Sequence, residues 1–390
     1  MAVAELNQDG RPLRATLEIE PAARSDLIDV RERVVAEHGD QFSEFRRALY
    51  MSHHTTAGYM PQGLVESLGY DEDRVRGHLR FFNKVYPPDA GYMHDEMELR
   101  TELSDLQKHH EPRNADSHLK YICAGLQSCV SYEQDSGPVW LVELDGVHQE
   151  GRRKRRTTVI GYNGDQEVAR TQIEVEVGDN SVYARNLRDS AVGFTDKVLE
   201  LAREHDVAYG RVDVELAEPE ADASLTVNEY EVLLMTHDLR TALTKPVQFM
   251  TGFGRSVMEG LRHPLKVPRK VLSTAQLEAM QVLRALRDPR SIPGDVFTAA
   301  QLDAIQVLCG ALDRIGISSS LVARMVARAL SIPVQISLKR KRGVSIPVLD
   351  RTGDGLAEIP WGTYQSLILV QWAASLTGTR TLDVTLSRLN

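Results

Sequence analysis

Apolar and polar positions change period along the chain, and each change predicts an element. "RATLEIE" (14–20) alternates and predicts a half-buried strand. "SDLIDVRERVVAEHG" has helical spacing, with Ser25 as the N-cap candidate and Gly39 as the stop. "RRALYMSHHTTA" is β-prone through Tyr50, Thr55 and Thr56. "DEDRVRGHLRFFNKVY" is helical until Pro87 and Pro88 end it, "DAGYMHDEM" is a loop, and "NADSHLKYICAGLQ" is helical again. "GPVWLVELDG" and "RRKRRTTVIGY" read as strands around a turn at Asp145 and Gly146. The order then restarts. "RTQIEVEV" is a strand, "GFTDKVLELAREHDV" a helix, "GRVDVELAE" a strand, and "SLTVNEYEVLLMTHDLRTAL" runs from strand into helix. "GTYQSLILVQWA" and "TRTLDVTLSRL" close the chain as strands.

Laid over each other, the two series share residues as well as order. "IDVRERVVAEH" lies over "TDKVLELAREH", with Asp29 on Asp196, Glu37 on Glu204 and His38 on His205. "HTTAG" falls on "EADAS" (220–224), and "WLVELDG" on "ILVQWAA", which sets Glu143 on Gln371 and, further on, Arg153 on Arg380. Chance likeness between two α+β halves is the alternative. Agreement in order and identity together favours duplication. The expectation is an α+β chain of two tandem domains, 1–163 and 164–390. The second carries a helical insertion at about 245–337, where "AQLEAMQVL" and "AQLDAIQVL" predict a helical hairpin.

Composition narrows the function classes. The chain has 390 residues, 42% hydrophobic and 26% charged, enough for a sizeable core. A net charge of -9 disfavours nucleic acid and anionic lipid as partners. No apolar run is long enough to span a membrane. No secretory h-region is visible, and three cysteines suit a reducing compartment, so a cytoplasmic location is expected.

Histidine is the residue with chemical promise. His53, His54, His94, His109, His110, His118 and His148 crowd the first half. Neutral imidazole is a common ligand of zinc, yet a lone histidine in an apolar strand is more often a core residue. His53 and His54 are adjacent in a predicted strand, so only one of them can enter a given site. In "RRKRR" (152–156) alternation lets Arg153 and Arg155 face one side, either to bind phosphate or as a solvated strand edge.

"HHTTAG", "YMHDEM", "NADSHLK", "WLVELDG" and "GRRKRRTTV", in this order, resemble the YjbQ family, also described as secondary thiamine-phosphate synthase. The resemblance places His54, His94, Asp95, His118, Lys120 and Glu143 on family positions. The two halves keep different parts of the pattern. The family's Asn-Glu would fall on Gln62 and Gly63, its helix Asp near His78, and its Gly-x-Trp-Gln around Ser136 and Gly137. The second half instead supplies Asn228, Glu229, Asp238, Gly362 and Gln365, but has Glu220 in the histidine position.

The resemblance implies that each tandem domain is a YjbQ-like β-sandwich with flanking helices, α+β in class and trimer-forming, with a histidine-lined pocket for phosphorylated or anionic substrates. The resulting expectation is a YjbQ-like transferase on a small anionic metabolite, with thiamine-phosphate-type C–N bond formation or a specialised-metabolism derivative as its reaction. His54, His94 and His118 are the metal candidates, with zinc as the first choice. Glu143, Asp95 and Glu229 are the catalytic candidates. Thr55, Thr56, Lys120, Arg153, Arg155, Asn228 and Gln365 are the substrate or phosphate candidates. A homo-oligomer with a small-molecule substrate is expected. A composite site, with histidines from the first half and Asn228 or Glu229 from the second, would explain the complementary losses. A metal-dependent hydrolase or lyase and a non-catalytic binding or scaffold protein are the rival functions.

Overall fold

A computed structural model describes residues 12–101, 103–148, 151–220, 222–229, 233–244, 249 and 342–390. The insertion at about 245–337, with its two helical repeats, lies outside the described residues apart from Phe249. The fold is α+β with antiparallel sheets. No helix among the described residues is long and apolar enough to cross a membrane.

Among the described residues, and setting aside one two-residue ribbon, fourteen strands fall into two runs of seven. The first run is β1 (Leu13–Ile19), β2 (Asp26–Asp29), β3 (Arg47–Ser52), β4 (Ala57–Tyr59), β5 (Cys129–Glu133), β6 (Trp140–Glu143) and β7 (Arg155–Tyr162). The second is β8 (Asp165–Glu176), β9 (Tyr183–Asn186), β10 (Tyr209–Leu216), β11 (Ala223–Glu229), β12 (Gly343–Leu349), β13 (Gln365–Gln371) and β14 (Thr379–Leu389). A two-residue ribbon, Val147–His148 with Gly151–Arg152, hangs between β6 and β7. The first run makes sheets of order β1-β7-β3-β5 and β2-β6-β4, the second β8-β14-β10-β12 and β9-β13-β11. Adding seven to each label of the first pair of sheets yields the second.

Compact units divide the chain differently from a cut at 163/164. One unit takes Met1–Gln62, Gly125–Thr236 and Lys339–Asn390, which includes every strand of both runs. The other takes Gly63–Ala124 and His237–Leu338. Its described elements are helical: most of α2 (Gln62–Ser67), then α3 (Glu72–Val85), α4 (Asp105–His110), α5 (Ala115–Cys123) and the larger part of α7 (Leu233–Thr244).

In the strand unit, each run has its own core. Leu13, Ala15, Leu17, Tyr50, Tyr59 and Val159 fill the first, with Val30 and Val34 of helix α1 (Val30–His38). Val212, Leu225, Leu367 and Val384 fill the second, with Phe194 and Val198 of helix α6 (Phe194–Glu204). A third cluster joins Leu49, Cys129, Ile160 and Tyr162 of the first run to Leu349 and Leu389 of the second. Strands β3 and β7 are therefore buried on both faces, which is why "ALYM" and "TTVIGY" are buried at every position and do not alternate. Strand β12, absent from the sequence reading, contains Pro347. It is an edge strand, where the missing N–H breaks no inner ladder.

Two local predictions shift. Asp29, not Ser25, caps α1: its Oδ1 accepts from Arg31 N at 2.9 Å and Glu32 N at 3.4 Å. Residues 26–29 form an edge strand against β6 instead of the first helical turn. The expected stop at Gly39 holds, with φ of 61° that favours glycine.

The runs are also tied by a side chain. Gln365 Nε2 donates to the Ser52 carbonyl at 2.8 Å and the His54 carbonyl at 3.0 Å, while its Oε1 accepts from Gly362 N at 2.9 Å. A Cβ on Gly362 would lie 1.9 Å from the His53 carbonyl oxygen. Gly362→Ala should accordingly lower stability by about 3 kcal/mol, the upper range for overpacking. Chemical denaturation is the check, and a wild-type unfolding midpoint would contradict this close approach.

Candidate functional site

Buried charge organises the end of the first run. Arg155, 4% exposed, opens β7, and Glu143, fully buried, closes β6. Arg155 Nε donates to Glu143 Oε2, and Nη2 donates to Oε1 at 2.8 Å, a fork-on-fork pair. Arg155 Nη2 also reaches Thr56 Oγ1 at 3.2 Å and the Asp145 carbonyl at 2.9 Å. Glu143 Oε1 accepts from the backbone N–H groups of Leu144 (3.0 Å) and Asp145 (2.7 Å). Burial pushes the Glu143 carboxyl up, against Arg155 and the backbone donors, which favour its anion. A carboxylate held this way clamps β6 to β7. Glu143 as a general base would require this pair to open.

His54 belongs to the same cluster. Its Nε2 accepts from Arg156 N at 2.8 Å, and its Nδ1 lies 3.5 Å from Arg155 Nη1. One ring nitrogen is therefore taken by backbone, and the other faces a guanidinium. His53 is buried rather than turned to the surface: Nε2 meets Thr158 Oγ1 at 2.9 Å and Nδ1 the Pro360 carbonyl at 3.1 Å. Arg153 stands apart from Arg155, half-buried with Nη2 3.2 Å from Asp145. Thr55 is partly buried.

The second run repeats this clamp with its charge moved. Arg380 Nε donates to Gln371 Oε1 at 3.3 Å, its Nη1 to Glu220 Oε2 at 2.7 Å, and its Nη2 to the Ala373 carbonyl at 2.7 Å. Thr381 N donates to Glu220 Oε1 at 2.9 Å, as Arg156 N does to His54. Arg380 thus matches Arg155, not Arg153 as the sequence overlay had it. Glu143 corresponds to Gln371 and His54 to Glu220. Each clamp keeps one carboxylate against one guanidinium, on opposite sides of it. Asn228 and Glu229 end β11, both buried, and Asn228 Oδ1 accepts from Glu229 N at 2.7 Å. Glu229 is the cross-strand partner of Gln365.

In the helical unit, His94 and His118 come together. Both are fully buried, and their rings meet edge to face with centroids 5.1 Å apart. One ligating nitrogen of each lies within 4.8 Å of the other. His118 sits in α5 and His94 on the loop after α3. Asp238 of α7 pins that loop, accepting from Met93 N and His94 N, each at 3.0 Å. Asp95 accepts from Ala115 N at 2.9 Å at the start of α5, a helix-capping role, and burial pushes its carboxyl up. Lys120 Nζ donates to Asp116 at 2.8 Å within α5. Its expected phosphate role would compete with that bond. Arg100, 2% exposed, places Nη1 3.4 Å from His94 Nε2 and 3.7 Å from Glu111. The sequence reading missed Arg100, which lies six residues after His94 and three beyond the end of "YMHDEM". The Asp116–Lys120 pair was legible from its i,i+4 spacing.

Set beside known proteins, this chain matches several solved structures, three of which follow. One is a YbjQ-like protein of unknown function from Sulfolobus solfataricus P2, at 13% identity, over 58% of this chain and 99% of that one, with a TM-score of 0.26. A structural-genomics target from C. acetobutylicum matches at 11% identity over 56% and 98%, with a TM-score of 0.26. A hypothetical protein from Aeropyrum pernix K1 matches at 13% identity over 56% and 96%, with a TM-score of 0.24. No family model and no curated protein matches the chain.

Two predictions follow from the clamps. Glu143→Gln leaves a buried guanidinium without its carboxylate and should cost about 3–5 kcal/mol. Adding His54→Glu recreates the second-run arrangement and should restore part of that loss. A double-mutant cycle by urea unfolding measures the coupling, and additive losses would refute the equivalence.

The second concerns pH. Burial, with nearby arginines, lowers His53 to about 4 and His54 to about 3. Unfolded, both protonate near about pH 6.5. The unfolded chain therefore binds more protons below that pH. Stability is full above it and is lost as pH falls toward 4 and 3. His54→Gln, whose amide oxygen can accept from Arg156 N, should flatten that slope in urea midpoints taken across the window. A slope as steep as wild type would remove His54 from the titration.

Proposed function

We propose that this chain is an enzyme acting on a small anionic or phosphorylated metabolite, with its chemistry centred on a divalent metal held by His94 and His118. The observation that carries this reading is the convergence of two fully buried imidazoles from separate elements, one on a loop gripped by Asp238. The donors fit zinc. Bonds of about 2.0–2.1 Å at a tetrahedral angle want nitrogens about 3.4 Å apart. A small ring rotation reaches that from a spacing within 4.8 Å. Such an ion would supply Lewis acidity toward a phosphoryl or carbonyl oxygen. The buried Arg100 beside His94 would favour an anionic substrate. A cytoplasmic homo-oligomer and a thiamine-phosphate-type transferase reaction belong to this proposal as the resemblance suggests them.

We also propose that the chain arose by tandem duplication of one YjbQ-like unit. The seven-strand offset and the paired arginine clamps support this.

A second reading, a binding or scaffold protein, draws on a different observation. Glu143, Asp95 and Lys120, all expected to act on substrate, are engaged in structural bonds. Elemental analysis of purified, zinc-supplemented protein decides the metal. The expected result is about one ion per chain, retained by His54→Gln and lost by His94→Ala and His118→Ala. Metal-free wild-type protein, or full occupancy in both histidine variants, would overturn the reading. Zinc binding without turnover of any phosphorylated or carboxylate substrate would favour the scaffold.

A further inference from the structure

We infer that the first run carries a separate ligand site, a cavity of about 510 Å³ beside α1 that takes a small planar aromatic carboxylic acid. None of its lining residues was a site candidate in the sequence. Its volume falls in the range of small-molecule pockets, about 300–1,000 Å³. Val34, Phe42, Phe45 and Tyr50, all buried, supply the apolar wall. The Phe42 and Phe45 rings lie 6.5 Å apart, tilted by 49°, and pack against each other in that wall.

The polar side of the cavity has a sign. Arg31, Arg46 and Arg47 face Glu133 and Asp135 among the lining residues, one positive charge in excess. Arg47 is matched by Glu133 at 3.3 Å. Arg31 is held by the Ser136 carbonyl, the Glu133 carbonyl at 2.7 Å and Ser136 Oγ at 3.1 Å. These bonds use its terminal nitrogens and fix the guanidinium plane. Its Nε is buried and makes no hydrogen bond among the described residues, while the Tyr50 hydroxyl bonds the same guanidinium. Leaving such a donor unsatisfied costs about 1–3 kcal/mol. The Arg46 guanidinium also has no hydrogen-bond or ion-pair partner among the described residues. One buried donor and one uncommitted cation match a single carboxylate. The aromatic wall matches the body that would carry it, and arginine planes stack on such rings.

The probe is 2-naphthoate, titrated into the full chain by calorimetry. One saturable site is expected, with a Kd below about 1 mM. Arg46→Glu reverses the free charge, and Val35→Trp fills the mouth from a half-exposed position. Each should weaken binding by about tenfold or more, while the thermal midpoint without ligand stays at the wild-type value. Uncharged 2-naphthol should bind more weakly than 2-naphthoate by a similar factor. Absence of saturable binding, or binding indifferent to both variants, would overturn the site. Tighter binding of naphthyl phosphate than of naphthoate would overturn the carboxylate assignment.

Discussion

A guanidinium taken out of water must meet a carboxylate, and that requirement organises the strand unit. Arg155 and Glu143 lie at the joint between β6 and β7, where the short sheet of the first run meets the long one. Desolvating two ions costs several kcal/mol each, so the pair persists only with its remaining hydrogen bonds supplied. Thr56, the Asp145 carbonyl and two backbone N–H groups supply them. The "HHTTAG" segment is held in place by the same arrangement. His54 closes on Arg156, Thr56 on Arg155, and Gln365 grips the His54 carbonyl.

The two arginine clamps show that the constraint is the charge balance and not the particular residues. Glutamate stands on one side of arginine in the first run and on the other in the second, with histidine and glutamine filling the vacated places. A motif that looks catalytic from its residue types is here explained by electrostatic necessity. The histidine pair lies outside these clamps, in the helical unit. His94 and His118 are fully buried against each other, and the loop between α3 and α5 is fastened at both of its acidic contacts, Asp238 to His94 and Asp95 to Ala115.

Much of the fold was legible. Strands β1, β7, β8, β10, β11, β13 and β14, helices α3, α5, α6 and α7, and the restart of the order all follow from periodicity, caps and breakers. Strand β12 was hidden because its proline argues against a strand unless the strand is known to be an edge. Strand β2 was absorbed into the helix that follows because "DLID" has no period of its own. The candidate site was legible as a residue list, since His94, His118 and Asp238 could be named from motifs. Their grouping was not, because spacing along the chain says nothing about convergence in space.

The sequence by itself determined the secondary elements and the doubled order, because those depend on neighbours a few residues away. It also determined the residue types available for chemistry. Only the tertiary structure decided which charges are committed. Glu143 and Asp95 look free in a sequence, and each is claimed by a partner brought near by folding. The same holds for the overlay of arginines. Sequence set Arg153 on Arg380, but the side chain that must enter the low-dielectric interior is the one the strand register turns inward, and that is Arg155.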